Sequence, residues 1–422
     1  RDFESYNILD LEIQYQDSSK VHWKFNKQVN HTWAWELEKG KIVLDYKPGN
    51  TRQLITEGWS LISMSYNPLK EEVTLYYNDL QVAIYSVQGI SLKSIVKTIG
   101  LSVGGQKQGE LGEWEVFNGC IDNILIYDEE LTKGQITKIY KGFFPSPSGP
   151  LAPRPADTLR VMTYNIWHGG NETGKGIGYK RIAEIIKASK ADVVTMQETY
   201  GSGARIADEL GYYFYLRSSN ISIMSRYPIQ ETLKSYNAFN NGNAIIEVGD
   251  KKIVIASVWL NYPVDYWGEI DKGNKIDLDQ WVKAQEGNKN TMQGIIGSLG
   301  SDIIEKEEIP VIIGGDFNSG SHLDWIESVK GQNAGYVMAF PTGKYLEDLG
   351  FNDTFRQVHP DPKINRGTTW TPIDATTHQD RIDYIFLKGQ NLKTINSQVI
   401  NTHPVRYPSD HAAVVTTFMF VN

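Results

Sequence analysis

The 422-residue sequence predicts two domains, an all-β sandwich followed by an α/β domain. Three observations carry this reading. The segment 143–157, FFPSPSGPLAPRPAD, holds prolines at 145, 147, 150, 153 and 155. Proline neither continues a helix nor sits in a central strand, so the segment reads as an extended linker. Before it come short alternating runs with turns and no long helix. After it, strand-like and helical runs succeed one another. The boundaries are therefore 1–142, 143–157 and 158–422.

In the first domain, GWSLISMSYNP (58–68) and EEVTLYYNDLQVAIYSV (71–87) alternate as half-buried strands do. NGCIDNILIYDEELT (118–132) reads as a further strand, and KGQITKIYKG (133–142) as a short closing helix. Cys120 is the single cysteine, so no intrachain disulfide forms; it is expected to be a small buried apolar residue. In the second domain, strands are expected at 159–166, 191–198, 251–260, 309–316, 381–389 and 411–420. Helices are expected at 179–189, 203–211 and near 279–299.

Composition is globular, with 40% hydrophobic and 22% charged residues. No apolar run approaches the roughly 18 residues of a membrane span. The net charge is −8, and residues 158–422 hold 26 Lys and Arg against 30 Asp and Glu. Proteins that bind the phosphate backbone carry a basic face, so the charge argues against a nucleic-acid partner. The chain starts at Arg1 with no signal segment and reads as a mature or trimmed product.

Polar residues recur at the ends of the apolar runs of the second domain. Asn165 ends the first and Glu198 the second. Asp316 and Asn318 follow IPVIIGG, Asp383 lies within DRIDYIF, and Asp410 and His411 open the last run. Strand ends on one rim of a sheet meet in space. Four carboxylates, two amides and one histidine would suit a hard, oxygen-ligated cation, Mg²⁺ or Mn²⁺. Such a set can hydrolyse a phosphate ester. A metal on Glu198 and Asp410 neutralises charge on a phosphoryl oxygen, a carboxylate orients water, and a histidine held by an aspartate stabilises the transition state. The amides can donate to phosphate oxygens.

MTYNIW, ADVVTMQE, GGDFN, DRIDYIF and SDH, in this order over 158–422, resemble the signatures of the endonuclease/exonuclease/phosphatase (DNase-I-like) superfamily. The resemblance implies a four-layered α/β sandwich with two packed sheets. It implies Mg²⁺ on Glu198, with Asp410 and Asn165 close by. Asp316 would activate water, Asn318 hold the phosphate, and His411, oriented by Asp383, bind the phosphoryl oxygen. The two glycines before Asp316 are expected to let the backbone turn close to the phosphate.

The pattern departs from the family at one point. Where members carry a second histidine, IASVWLNYP (255–263) places Trp259, whose N–H donates but transfers no proton. His168 in NIWHGG is the first candidate replacement and His378 the second. Trp259, Tyr262, Tyr266 and Trp267, with Arg381, are expected to contact substrate, since aromatic faces stack on bases and on the apolar faces of sugars.

GWSLISMSYNP, VTLYYNDLQVA and GCIDNILIYDEELT resemble a laminin-G-like, concanavalin-type jelly roll over about residues 1–142, with YNDL in place of the commoner acidic-glycine turn. That resemblance implies possible glycan binding, with Ca²⁺ in some members. Together these readings predict a secreted, periplasmic or cell-surface phosphodiesterase acting on a glycan- or lipid-linked ester. Two alternatives stay open: a Mg²⁺-dependent nuclease, and a carbohydrate-binding protein with a vestigial catalytic domain.

Overall fold

The computed structural model describes residues 6–15, 18–27, 33–48, 59–87, 90, 95–108, 113–116, 120–144 and 157–421. Most of the proline-rich segment lies outside them. The chain forms two compact units: Arg1–Leu151 with Ala204–Gly211, and Ala152–Gly203 with Tyr212–Asn422.

The first unit is built from β1 (Tyr6–Tyr15), β2 (Lys20–Lys27), β3 (Trp33–Lys39), β4 (Lys41–Tyr46), β5 (Ile62–Asn67), β6 (Glu72–Tyr77), β7 (Leu80–Ser86), β8 (Ile95–Val103), β9 (Gly105–Gln108) and β10 (Glu113–Val116), followed by α1 (Lys133–Phe143). One antiparallel sheet has the order β4-β3-β2-β1-β8, and β5, β6 and β7 form an antiparallel meander. Alternation sets the two faces of β2. Val21, Trp23 and Phe25 are buried, while Lys20, His22 and Lys24 pair with Glu12, Asp10 and Glu38. Thr132 and Gln135 close a capping box on α1.

The strand expected at 118–132 does not form over its described part, 120–132. A strand needs a ladder partner for its backbone groups. This run has none among the described residues, and Ile121, Ile124, Leu125, Ile126 and Tyr127 are exposed. Cys120, expected to be buried, is exposed with them.

The second unit contains β11 (Thr158–Asn165), β12 (Val193–Gln197), β13 (Tyr213–Leu216), β14 (Ile221–Ser225), β15 (Ile229–Leu233), β16 (Asn241–Val248), β17 (Lys251–Trp259), β18 (Val311–Asp316), β19 (Asn352–Asp353), β20 (Asp383–Lys388), β21 (Leu392–Ile400) and β22 (Ala413–Phe420). Its main helices are α2 (Gly178–Ser189), α4 (Tyr266–Asp271), α5 (Leu278–Leu299), α6 (Ser301–Lys306), α7 (Pro341–Asp348) and α8 (Thr354–Val358); α3 (Gly203–Leu210) lies between β12 and β13 in sequence. Two mixed sheets run β21-β22-β11-β12-β14-β13 and β15-β16-β17-β18-β20-β19. β11 pairs with β12 and β17 with β18 in parallel, and the other pairs are antiparallel. The parallel pairs are joined by helical crossovers, as parallel strands require.

The two sheets pack face to face, with β11 over β18, β12 over β17 and β22 over β20. In β17, Val254, Ala256 and Val258 turn away from that interface into a core shared with Met292, Ile295 and Leu299 of α5. The intervening residues face the other sheet, where Ser257 accepts from Gln197 at 3.3 Å. Gly314 lies on this inner face. A Cβ there would sit 2.4 Å from Thr195 Oγ1 and 3.4 Å from Thr163 Cβ. Gly314 and Gly315 are within β18 and neither has positive φ. They therefore do not turn the chain, as the sequence reading expected; Gly314 admits the opposite sheet, and Gly315 faces the Val258 backbone.

Buried contacts hold the loops beyond the strand ends. Asn288 of α5 donates to the carbonyls of Asn261 and Phe317 at 2.9 and 3.2 Å, fixing the exits of β17 and β18. Arg381, expected at the substrate, is 1% exposed. Its guanidinium pairs with Asp324 at 2.8 Å and Asp353 at 2.7 Å, and Arg356 reaches Asp324 from the other side at 2.5 Å. A planar fork committed to two buried carboxylates is not free for a ligand, so Arg381 anchors the chain two residues before Asp383. Beside it, buried Asp380 accepts from Trp325 Nε1 at 3.3 Å and from the Arg381 N–H at 2.9 Å.

Two outcomes follow for stability. Gly314→Ala overpacks the sheet interface and should cost about 1–3 kcal/mol, read as a lower denaturant midpoint at unchanged slope. Burial, reinforced by the Asp324 charge, pushes Asp380 from 3.8 up to about 7 against the opposing pull of Arg366. The folded chain thus favours the neutral acid. That stabilisation is complete below 3.8 and is lost as pH rises towards about 7. Across that window wild type should lose stability relative to Asp380→Asn on the order of 1 kcal/mol per pH unit, with no further divergence above it, in urea titrations at stepped pH.

Candidate active site

The polar residues at the strand ends meet at one rim of the paired sheets. β11 ends on Asn165, Glu198 follows β12, and β18 ends on Asp316. Asp383 opens β20 directly opposite Asp316 in the antiparallel ladder. Ser409 Oγ donates to the Asn165 carbonyl at 2.7 Å and accepts the His411 N–H at 3.1 Å, which holds the segment before β22 against the end of β11.

The amide of Asn165 is completely buried. Its NH₂ donates to Glu198 Oε1 at 3.2 Å and Asp316 Oδ2 at 3.0 Å, while its oxygen accepts from the Trp167 N–H at 3.0 Å. Asn165 thus braces two carboxylates. Its oxygen, expected to serve a cation, accepts the Trp167 N–H on one of its two lone pairs and keeps the other. Asn318 behaves alike. It adopts φ of +46°, its N–H donates to Asp316 Oδ1 at 2.8 Å, and its NH₂ goes to the Leu260 carbonyl at 2.8 Å and Asp316 Oδ2 at 3.2 Å. Both amide hydrogens are taken, so Asn318 positions Asp316 rather than holding the phosphate.

His411 Nδ1 lies 2.9 Å from Asp383 Oδ2, and its Nε2 faces Asp316 Oδ2 across 3.9 Å. Burial alone would lower the His411 pKa, but Asp383 and Asp316 outweigh it and lift the imidazole to about 10. Burial raises Asp316 to about 7, opposed by His411 and reinforced by Asp383. Burial also raises Asp410 to about 6, with His411 opposing and the Glu198 charge adding to the shift.

Among the described residues at this rim, two places offer cation ligands. Asp316, Asp383 and His411 present atoms within 4.8 Å of one another. There, however, the histidine nitrogen on Asp383 is already engaged, and the protonated ring supplies the positive charge. At the other end, Asp410 Oδ1 is buried with no hydrogen-bond partner among the described residues, and the Glu198 charge acts on it. Glu198 Oε2 accepts only the His168 N–H at 3.0 Å among the described hydrogen bonds. An orphaned buried carboxylate oxygen beside a second acid fits a hard divalent cation, so the fit favours Glu198 and Asp410.

The remaining expected residues separate. His168 lies beside Glu198: its Nδ1 is 2.9 Å from Glu172 Oε1 and its Nε2 3.7 Å from Glu198 Oε2, with the side chain 56% exposed. His378 instead stacks on Trp267 at 3.8 Å, and burial, with Arg366 nearby, lowers it to about 4. Tyr266 and Trp267 pack on Trp281 and Trp325 in a local core. Their ring faces serve packing, not the substrate contact expected of them. Tyr262 is exposed and donates to Asp265 at 2.9 Å. Trp259 is the register partner of Asp316 and borders the site.

Sequence reading missed three residues that shape the site. Asn220 accepts the Glu198 N–H at 2.9 Å. Trp370 packs edge-on to the His411 ring, with centroids 5.0 Å apart. Ser409 joins the two strand ends described above. Asn220 had a signal, an amide opening the apolar run ISIMS just as Asn165 closes its own; Ser409 lay inside the SDH motif.

The chain matches the Endonuclease/Exonuclease/phosphatase family over residues 162–411. An uncharacterized protein of Caenorhabditis elegans is 30% identical over 296 residues, 62% of this chain and 92% of that protein. Among solved structures, an endonuclease/exonuclease/phosphatase from Beutenbergia cavernae is 19% identical, covering 62% of this chain and 72% of that one with a TM-score of 0.44. A family protein from Bacteroides thetaiotaomicron is 16% identical, covering 64% and 100% with a TM-score of 0.41. With the family's match spanning more than half of its length and ending on His411, this chain belongs to the endonuclease/exonuclease/phosphatase family.

Proposed function

We propose that this protein is a divalent-metal-dependent phosphodiesterase acting outside the cytoplasm on a glycan- or lipid-linked ester. One observation carries the reading: His411, paired with Asp383 at 2.9 Å, faces Asp316 across a 3.9 Å gap at the rim where Glu198 and Asp410 also lie. The gap sets a proton-accepting carboxylate beside a cationic donor, the pairing that hydrolysis of a phosphate ester uses.

Asp316, kept in place by Asn165 and Asn318, orients the attacking water and takes its proton. His411 donates from Nε2 to a phosphoryl oxygen and is held in orientation by Asp383. Glu198 and Asp410 would hold Mg²⁺ or Mn²⁺, which would supply charge neutralisation at the phosphoryl group. The net charge of −8 favours a substrate other than a nucleic acid. Among the described residues before the proline-rich segment, the regular elements are strands apart from α1, in line with a laminin-G-like jelly roll over 1–142. A role there in glycan binding, with Ca²⁺, and the extracellular placement both rest on that resemblance.

Bis-p-nitrophenyl phosphate and p-nitrophenyl phosphate test the reading. Turnover of the diester should need Mg²⁺ or Mn²⁺, stop with EDTA and return on adding metal. His411→Ala and Asp316→Asn should each lose on the order of 10²-fold or more in kcat/KM. Glu198→Gln should weaken metal binding in calorimetry. Chelator-insensitive turnover would sink the metal-dependent reading. DNA cleavage that falls steeply with salt would move the substrate to nucleic acid. Glycan binding that survives Asp316→Ala, with no ester turned over, would make the catalytic domain vestigial.

A further inference from the structure

The strand order lays the site out in two facing rows. One sheet supplies His411, Asn165 and Glu198 from β22, β11 and β12; the other supplies Asp383, Asp316 and Trp259 from β20, β18 and β17. β22 faces β20, β11 faces β18 and β12 faces β17. One end of the site is therefore the His411–Asp383 pair, the middle is Asn165–Asp316, and the far end is Glu198 with Trp259.

That far end has an aromatic wall. Trp259 pairs in register with Asp316, so its side chain leaves the same face of the sheet. Ser257, two residues earlier on that face, reaches Gln197, the residue before Glu198. Phe239 packs edge-on to the indole, with centroids 5.3 Å apart at 85°. Asn240 clasps the Trp259 backbone, accepting its N–H and donating to its carbonyl, both at 2.9 Å. Asn220 bonds the Phe239 carbonyl at 2.8 Å and the Glu198 N–H at 2.9 Å, which joins the wall to the carboxylate. The Trp259 Nε1–H is buried with no partner among the described residues.

Among the described residues in contact with Trp259, namely Phe239 and Asn240, none transfers a proton. Indole does not transfer a proton, phenylalanine has none, and a metal-holding carboxylate only accepts. Beyond the wall, His168 has both ring nitrogens facing acids, Glu172 and Glu198, and the Tyr200 ring packs edge-on to it at 5.5 Å.

Resting on the phosphodiesterase reading above, we propose that Trp259 and Phe239 line the leaving-group end of the site, and that the enzyme is confined to esters whose leaving oxygen is stable as an anion, a phenolic or a phosphate oxygen. In-line displacement puts attacking and leaving oxygens on opposite sides of phosphorus. Water held at the Asp316–His411 side bonds to phosphorus through its oxygen and gives one proton to the Asp316 carboxylate. The bond from phosphorus to the leaving oxygen breaks, the electron pair stays on that oxygen, and the anion takes its proton from solvent. The free indole N–H donates a hydrogen bond to this oxygen as charge builds, and the wall packs on the group behind it.

The test is the dependence of kcat/KM on leaving-group acidity, over methyl aryl phosphates of graded phenol pKa, a dialkyl phosphate and a pyrophosphate diester. Wild type should fall about tenfold per unit of leaving-group pKa, with the dialkyl ester inert, because nothing offsets the developing charge by proton transfer. Activity on the aryl series or on the pyrophosphate tells which oxygen is the natural one. Trp259→Phe, which keeps the ring, should lower kcat/KM severalfold throughout. Trp259→His should flatten the slope and raise dialkyl turnover on the order of 10²-fold, the contribution of a placed general acid. A flat slope in wild type overturns the inference, and it does so without any variant having to fold. A slope that steepens in His168→Gln overturns it too, by making His168 the donor. Turnover of no ester at all sinks the phosphodiesterase reading and this inference with it, which separates the two failures.

Discussion

The amide of Asn165 holds one carboxylate from each sheet, and the site depends on that clasp. Glu198 stands at the end of a neighbouring strand in the same sheet, whereas Asp316 comes from the opposite one. Face-to-face sheets normally lie about 10 Å apart, too far for a short amide to bridge. The approach is permitted by Gly314, two residues before Asp316 on the same face, where a side chain would meet Thr195 and Thr163. The glycine makes the sheets close, closeness brings the amide to the carboxylate, and the amide fixes the carboxylate before any substrate arrives. Such prior fixing of polar groups is what electrostatic catalysis requires.

Burial makes the clasp necessary. Asp316 and Asp383 sit beside one another with almost no solvent contact, and an isolated buried carboxylate is costly. Asp316 receives the Asn165 amide, the Asn318 amide and the Asn318 N–H, and His411 supplies positive charge to both acids. The imidazole is therefore held protonated by its neighbours well above its ordinary range. Removing either acid would unbalance the histidine as well as the remaining acid, so the three behave as one unit.

Much of this was legible in the sequence, and what was not has a common cause. Apolar runs ending in Asn165, Glu198 and Asp316 marked strand ends because burial period and length are local properties. Which way an amide faces is not local: Asn165 and Asn318 looked like phosphate donors, and the folded network spends their hydrogens on carboxylates and the Leu260 carbonyl. Arg381 looked available in DRIDYIF because its acids, Asp324 and Asp353, lie 57 and 28 residues away. Tyr266 and Trp267 sat in a polar stretch that suggested a surface, yet α5 and the 320s loop bring Trp281 and Trp325 onto them. The run at 120–132 had the alternation of a strand and lacked the partner that only topology can provide.

The mixed character of the two sheets explains why both kinds of group reach one rim. Parallel strands present only their carboxyl ends to a given edge, which here yields Asn165, Glu198, Trp259 and Asp316. The antiparallel neighbours β20 and β22 run the other way, so their beginnings arrive at the same edge with Asp383 and His411. A wholly parallel pair of sheets would carry the carboxylates and amides without the aspartate–histidine pair, and would leave Asp316 buried with no cation. Because β20 borders β18 on one side and β17 borders it on the other, the cationic pair and the aromatic wall fall on opposite sides of Asp316. The polarity of the site, charged at one end and aromatic at the other, is thus a consequence of strand order before it is a property of any single side chain.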